Sequence, residues 1–140
     1  DRLGKPLEIK GEGIKGAYDS SALRGKVILV DCWATWCENC VVSLPRVEAL
    51  YRTYHKQGLE IVGLNSDLKQ SKLEAFLGKH PDMTWAELYS SDGLVHPIAR
   101  SFGVAELPSM YIIDRQGRVR STCAREQMEE LVGKLIAEKP

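Results

Sequence analysis

The sequence predicts an α/β fold in which helices flank both faces of a mixed central sheet. In the first half of the chain, apolar β-branched runs alternate with segments of helical periodicity, which is typical of a βαβ unit with parallel strands. Near the C-terminus, two strand-like runs flank a glycine-containing connection and precede an amphipathic segment. That pattern predicts an antiparallel hairpin followed by a terminal helix.

The first predicted elements surround one long buried strand. Residues 1–25 are rich in glycine and predict one or two short strands leading into Lys26. Residues 26–33 (KVILVDCW) are apolar and β-branched, as in a strand buried on both faces. Residues 59–65 (LEIVGLN) predict a second such strand. Between the two strands, a helix that ends near Gly58 and is kinked at Pro45 is predicted by the helical spacing of Leu44, Val47, Tyr51 and Tyr54.

The second half of the chain carries boundary signals for shorter elements. Ser71 and Glu74 have the spacing of a capping box, which predicts the start of a helix. Pro97 and Gly103 suit the first turn and the end of a small helix. The predicted elements are, in order, a helix over 71–80, an extended segment over 83–89, a small helix over 97–103, hairpin strands over 109–114 and 118–123, and a helix carrying Met128, Leu131, Val132, Leu135 and Ile136.

Length and charge exclude several classes of protein. The 140 residues fit one domain with a single core. With 19 basic and 19 acidic residues the formal net charge is zero, which argues against nucleic acid and against anionic membrane surfaces as partners. No apolar run approaches the roughly 20 residues that span a bilayer. The chain begins at Asp1 rather than Met, so we expect a processed or truncated product, whose only membrane contact is through a removed N-terminal anchor.

The four cysteines are the chemically informative residues. Three of them, Cys32, Cys37 and Cys40, lie close together, which is poor spacing for a disulfide framework. Cys37 and Cys40 form a C-x-x-C between a predicted strand and a predicted helix, where unpaired backbone N–H groups and the helix dipole favour a thiolate. A second C-x-x-C or a suitably spaced histidine, which a zinc site would need, is absent from the sequence. The motif therefore predicts thiol–disulfide chemistry with no bound metal.

Around this motif the sequence resembles a known family. Residues 30–40 (VDCWATWCENC) are similar to the active-site segment of thioredoxin-like proteins, and WATWC is typical of the TlpA/ResA/CcmG-like branch. The resemblance also includes Leu44-Pro45 and Glu106-Leu107-Pro108, and it covers about residues 4–137. It implies a single thioredoxin-like domain over 1–140, with an N-terminal extension over 1–25 and a helical insert over about 66–103.

The resemblance also implies catalytic roles. Cys37 would be the exposed nucleophile, and Cys40 would be the thiol that resolves the mixed disulfide. Asp31 aligns with the buried acid of thioredoxins. In so apolar a strand, desolvation should raise the pKa of this carboxyl, which could then accept the proton of Cys40.

Further implied features concern substrate binding. Leu107-Pro108 would carry a cis peptide bond, and the Leu107 backbone would pair with an extended substrate. Trp33 and Trp36 would shield the cysteines from water. Substrate contacts are thus expected from Trp36, Glu38, Asn39, Leu107 and Pro108. The family further implies an extracytoplasmic monomer, periplasmic or membrane-anchored, that acts without a cofactor on a disulfide-bearing protein and receives electrons from a redox donor protein.

Three positions depart from the family pattern. Glu38-Asn39 separates the cysteines without the common proline, and a carboxylate beside Cys37 disfavours its thiolate. We therefore expect a less acidic nucleophile and a more reducing couple than in proline-containing relatives. Ser43 stands where ResA-like members carry a glutamate for apocytochrome recognition, which argues against a role in cytochrome maturation. Cys32 replaces an aromatic residue; on the face opposite Asp31, it is expected to be a small buried hydrophobe.

Two alternatives of different function stay open at this point. A thiol peroxidase of the same fold would need a threonine and an arginine around its cysteine, and only Thr35 is evident. A Sco-like copper-binding module would use a C-x-x-x-C pair and a distant histidine such as His96, although all three histidines fit surface or capping positions better. Cys123 is expected to be an unpaired thiol, with a bridge to Cys32 as the other possibility.

Overall fold

The computed structural model describes residues 2–92 and 94–138. Within these residues the chain forms seven strands and four helices. In chain order they are β1 (Lys10–Gly13), β2 (Gly16–Asp19), β3 (Val27–Trp33), α1 (Glu38–Tyr54), β4 (Leu59–Asn65), α2 (Gln70–Gly78), β5 (Ala86–Tyr89), α3 (Pro97–Ser101), β6 (Ser109–Ile113), β7 (Val119–Ser121) and α4 (Met128–Ala137). None of these helices is both long and apolar enough to cross a membrane.

All seven strands join one mixed sheet in the order β2-β1-β5-β4-β3-β6-β7. The three central strands β3, β4 and β5 are parallel, and the flanking strands run antiparallel to their neighbours. The N-terminal extension is part of the sheet, because β1 pairs with β5 at Gly13 and Leu88. The segment 66–103 contributes β5 to the sheet in addition to the helices α2 and α3.

Helices cover both faces of the sheet, as predicted. On one face, α1, α2 and α4 pack against alternate residues of β3 such as Leu29 and Trp33. On the other face, Ala99 of α3 lies in a second buried cluster with Val30 and Cys32. Because β3 has a helical layer on each side, all seven of its residues are buried, which confirms the interpretation of its uninterrupted apolar run.

Most element boundaries agree with the sequence prediction, but the start of α2 does not. The preceding residue, Lys69, is extended at φ −131° and ψ 134°, so the helix begins one residue before Ser71. In the described chain no side chain caps this end, so the predicted capping box of Ser71 and Glu74 was wrong. A cap needs its hydroxyl outside the helix, and Ser71 already lies in the first turn.

The β6–β7 turn is tied to three other parts of the molecule by Arg115. Its guanidinium donates hydrogen bonds to the carbonyl oxygens of Gly25 at 2.8 Å, Gln57 at 3.1 Å and Ile136 at 2.8 Å. One side chain therefore joins the starts of β3 and β4 to the end of α4, and so holds the helical layer onto the sheet.

Replacing Arg115 should destabilise the fold without touching the cysteine pair. We expect Arg115→Ala to lower the free energy of unfolding by about 2 kcal/mol or more, because three charge-assisted hydrogen bonds are lost together. Arg118→Ala is the matched control, since Arg118 is exposed and its guanidinium donates a hydrogen bond to the Gly4 carbonyl oxygen at 3.0 Å. Arg118→Ala should lower the free energy of unfolding by less than about 0.5 kcal/mol. Urea unfolding of both variants measures the two changes, and equal decreases would contradict the role assigned to Arg115.

Candidate active site

The C-x-x-C motif lies at the junction of β3 and α1. Cys37 is the residue that caps α1, and Cys40 lies in the first turn of this helix. The two form a disulfide with their Cα atoms 5.2 Å apart. The backbone N–H of Cys40 donates to Cys37 Sγ at 3.2 Å. The helix terminus thus points a backbone donor at the sulfur of Cys37, and the same donor would stabilise a thiolate there in the reduced protein.

The two cysteine residues differ little in their exposed fraction. Cys37 is 7% exposed and Cys40 is 1% exposed, both within the cluster that contains Trp33. Cys37 is therefore the more accessible of the two, but the expectation that it is openly exposed was wrong for the disulfide form. The reason is that the residue packs into the buried cluster beneath the first turn of α1, which the position of a motif along the sequence does not reveal.

The loop before Cys37 is held by Asp67, which the sequence analysis did not single out. The carboxylate of Asp67 accepts hydrogen bonds from the Thr35 backbone N–H at 3.1 Å and from the Thr35 hydroxyl at 2.7 Å. Asn65 donates to the same carboxylate at 2.8 Å. The Asn-Ser-Asp sequence at the end of β4 was the available signal. The Thr35 hydroxyl, which the thiol peroxidase alternative would use beside the cysteine, donates its proton to Asp67 instead.

Asp31 is buried beneath the motif, as predicted. It is 1% exposed, and burial raises its pKa to about 7. Its Oδ1 atom has no hydrogen-bond partner among the described residues. A buried carboxyl without donors is neutral more readily than an exposed one, so Asp31 can exchange a proton near neutral pH.

A second buried carboxyl, Glu87 on β5, was missed by the sequence analysis. It is 2% exposed, and its oxygens accept hydrogen bonds from the indole N–H groups of Trp33 at 2.8 Å and Trp85 at 3.0 Å. Burial is the main cause that raises its pKa to about 8, and the nearby charge of Asp31 adds to the effect. In sequence, a glutamate within the run TWAELY is indistinguishable from a solvent-facing strand residue.

The Leu107–Pro108 bond is cis, which confirms the conformation implied by the family resemblance. Both residues are half-buried. They line a cleft of about 340 Å³ together with Ser109, Cys123 and Arg125. The cis-proline loop therefore forms one wall of an open groove.

Arg125 contacts Ser43, the residue that stands where the family resemblance implies an acid in ResA-like members. Its Nε donates to Ser43 Oγ at 2.7 Å, and Ser43 in turn donates to the Asn39 carbonyl at 3.0 Å. A cation consequently stands beside the first turn of α1. The surface next to the cysteines thus presents the Arg125 guanidinium together with the exposed carboxylate of Glu38.

Trp36 is 54% exposed, whereas Trp33 is fully buried. Trp36 lines an apolar cleft of about 380 Å³ with Leu68, Lys69 and Lys72. Leu68 is 72% exposed. The structure therefore presents two large apolar side chains to solvent beside the redox pair, the arrangement expected of a protein-binding surface.

Cys32 and the histidines lie outside this arrangement, whereas Cys123 lines the cleft beside the cis-proline loop. Cys32 is buried and Cys123 is exposed, and both are free thiols, so the alternative of a bridge between them was wrong. Burial raises the pKa of Cys32. His96 accepts the Ile98 N–H at 3.1 Å as a cap of α3, as expected of a local cap. Over residues 2–92 and 94–138, no three His, Cys, Asp or Glu side chains are grouped so as to hold a metal ion.

Burial of Asp31 should make the oxidised protein less stable as the pH rises. The carboxyl has a pKa of 3.8 in the unfolded chain and of about 7 in the folded protein. Its contribution to the free energy of unfolding is therefore full below pH 3.8 and is lost as the pH rises through about 7. At about 1.4 kcal/mol per pKa unit, the free energy of unfolding should fall by up to about 4 kcal/mol over this range because of Asp31, and this fall should be absent from Asp31→Asn. Urea unfolding between about pH 4 and pH 9 measures it. A pH dependence unchanged by Asp31→Asn would contradict the assignment.

Comparison with known proteins places this site in a family. A model of thioredoxin-like proteins matches residues 25–119. The thiol-disulfide oxidoreductase ResA of Bacillus thuringiensis subsp. konkukian is 28% identical over 139 residues, which cover 96% of this chain and 72% of the relative. ResA of Geobacillus kaustophilus is 31% identical over 121 residues, with 78% and 63% covered.

Solved structures agree with the sequence relatives. A DsbE-type thiol:disulfide interchange protein from Chlorobium tepidum superposes with a TM-score of 0.85 and 25% identity over 98% of this chain and 99% of the other. DsbF of MTB shares the fold, with a TM-score of 0.76 and 23% identity over 92% and 96% of the two chains. The cysteine pair, the cis-proline and these relatives lead to one conclusion. The chain belongs to the thioredoxin-like family, in its TlpA/ResA/CcmG-like branch of thiol–disulfide oxidoreductases.

Proposed function

We propose that this oxidoreductase reduces disulfide bonds in protein substrates, with Cys37 as the nucleophile and Cys40 as the resolving thiol. The observation that carries the proposal is the Cys37–Cys40 disulfide at the start of α1, in the buried cluster on the face of the sheet that carries Asp31. Cys37 is the more accessible sulfur, and the terminus of α1 favours its thiolate. Asp31 is a carboxyl that can change protonation near neutral pH.

In the first step, the reduced enzyme forms a mixed disulfide. The Cys37 thiolate attacks one sulfur of the substrate disulfide, a Cys37–substrate bond forms and the substrate S–S bond breaks. The second substrate sulfur leaves as a thiolate and takes a proton from solvent. Two electrons of the new bond thus come from the Cys37 thiolate, and no cofactor takes part.

In the second step, Cys40 releases the substrate. The Asp31 carboxylate accepts the Cys40 proton, and the Cys40 thiolate attacks Cys37 Sγ. The bond between Cys37 and the substrate breaks, and the substrate leaves as a second thiolate, which is then protonated. The enzyme ends as the observed Cys37–Cys40 disulfide, so each turnover needs two electrons from a redox donor protein.

The surroundings of the pair favour an extended, disulfide-bearing polypeptide as substrate. The Leu107 backbone and Pro108 would bind the chain beside the disulfide, and Glu38 and Asn39 would contact it from the first turn of α1. Exposed Trp36 would cover an apolar side chain of the substrate. These contacts need only a single copy of the enzyme, so we propose a monomer.

The compartment and the partner class follow from the relatives. ResA and DsbE-type proteins are similar to this chain, and we propose that it works outside the cytoplasm, as they typically do. The Arg125–Ser43 contact replaces the acid expected for apocytochrome recognition. We therefore propose substrates other than apocytochromes.

Trapping of the mixed disulfide tests the separate roles of Cys37 as the nucleophile and Cys40 as the resolving thiol. Reduced Cys40→Ser should accumulate a stable mixed disulfide at Cys37 with a disulfide-bearing protein such as insulin, visible by mass spectrometry. Cys37→Ser should lose at least about 100-fold of the turnover in insulin reduction, because it lacks the nucleophile. Lys56→Gln is the control, since Lys56 is exposed beyond the far end of α1, away from the cysteine pair, and it should keep full activity. Full activity of Cys37→Ser would overturn the proposed function.

A second experiment tests the effect of Glu38 on the nucleophile. Glu38→Gln should lower the Cys37 pKa by about half a unit, because it removes a negative charge beside the thiolate at an exposed, solvent-screened position. The pH dependence of Cys37 alkylation measures this pKa. Glu48→Gln, further along α1, is the control and should leave it unchanged. A wild-type Cys37 pKa below about 6, far under the free-thiol value of about 8.5, would contradict the less acidic nucleophile that we expect.

A further inference from the structure

Glu87 is a buried ionisable group that the mechanism above does not use. It lies on β5 with 2% of its surface exposed, and each indole bonded to it can only donate. Burial of a carboxyl costs free energy unless its charge is compensated or neutralised. A residue that only filled this space could be apolar at a lower cost. The position therefore calls for a specific explanation.

The register of the central strands brings Glu87 towards Asp31. Asp31 on β3 is opposite Gly63 on β4, and Gly63 is opposite Glu87 on β5. Residues opposite one another on neighbouring strands project from the same face of a sheet, and the strands lie about 4.8 Å apart. The two carboxyl groups thus stand in one row, with a residue between them that has no side chain.

Gly63 is what allows the Glu87 carboxyl into this row. A Cβ atom at residue 63 would collide with both carboxyl oxygens of Glu87. The carboxyl therefore lies over β4 and reaches towards β3, where it accepts the hydrogen bond from Trp33. This leaves roughly one strand spacing, about 5 Å, between the acidic groups of Asp31 and Glu87.

A further carboxylate near this row also disfavours ionisation of its members. Asp67, after β4, raises the pKa of Glu87 further, as does Asp31. Cys37 and Cys40 of α1 belong to the buried cluster on the same face, and α4 contributes apolar residues such as Met128 to it. On the side of α2, Lys72 lines the outer cleft beside Trp36. Two desolvated carboxyls about 5 Å apart resist simultaneous ionisation.

We propose that Asp31 and Glu87 form a coupled carboxyl pair that holds one proton between its members, and that Glu87 is the positioning residue that sets the protonation state in which Asp31 meets Cys40. This inference rests on the proposed role of Asp31 as proton acceptor. Before resolution the pair carries one proton and one negative charge. It takes the Cys40 proton as the thiolate forms, so that both carboxyls are neutral, and afterwards returns one proton to the departing substrate thiolate or to water.

Carboxyl-carbon NMR titration of the full chain tests the coupling directly. In the wild type, the side-chain carboxyl carbons of Asp31 and Glu87 should each report two steps, because each senses the ionisation of the other. In Asp31→Asn the Glu87 carbon should show one step, at a pH lower by about one unit or more. Glu60→Gln is the matched control, since Glu60 lies three residues before Gly63 on β4 and projects from the opposite face of the sheet, so it should leave both titrations unchanged.

The pH profile of resolution is the functional readout. Reduced enzyme on a Cys123→Ser background would be mixed with an aromatic disulfide, whose first released thiol reports Cys37 attack and whose second reports resolution by Cys40. Glu87→Gln should shift the pH midpoint of the second release downwards by at least about half a unit and leave the first unchanged. A purely structural role for Glu87 would alter the stability of the protein without moving this midpoint.

The outcomes separate this inference from the proposed function. If Cys40→Ser traps the mixed disulfide but Asp31 and Glu87 titrate in single, independent steps, the pair is overturned and the proposed function stands. If Cys40→Ser traps nothing, the proposed function itself fails. Should Glu87→Gln not fold, Asp31→Asn decides alone, because an unchanged Glu87 titration in that variant excludes coupling.

Discussion

The parallel pairing of β3, β4 and β5 is the constraint on which the whole site depends. It places Asp31, Gly63 and Glu87 in one row on the face that packs against α1. It also brings the end of β3, where the cysteine loop begins, next to the end of β4, where Asp67 holds that loop. A shift of one residue in either pairing would turn the acidic side chains to the opposite face. Register and chemistry are therefore inseparable in this protein.

The same arrangement makes the active site a source of instability. Asp31 and Glu87 are both almost completely buried, and burial is the main cause that raises the pKa of each. The folded state thus holds protons that the unfolded chain has already lost at neutral pH. A core built for stability alone would use apolar residues at both positions. Carboxyls beside the redox-active pair are what the proposed proton transfer would use, and contacts such as those of Arg115 stabilise the fold against their cost.

The residues that would contact a partner are different from the residues that carry the redox chemistry. The cis-proline loop and the cysteine pair form the redox site, and the surface around them carries the groups that a partner would meet. Arg125 and Ser43 stand beside the first turn of α1, and Trp36 and Leu68 are exposed beside the cysteine loop. Under the proposed function, a partner protein would meet both a cation and an apolar surface near the disulfide.

The opening prediction of an α/β fold with a mixed sheet needed only local pattern, and so did the redox pair. Sequence pattern alone predicts the apolar run of β3, the helical spacing in α1 and the position of Cys37 and Cys40. Glu87 and Gly63 were not predicted, because a strand glutamate and a strand glycine acquire meaning only when β4 and β5 are paired. The exposure of Trp36 and Cys37 was likewise decided by packing. Periodicity is a local property of the sequence, whereas register and burial arise from contacts between residues far apart in it.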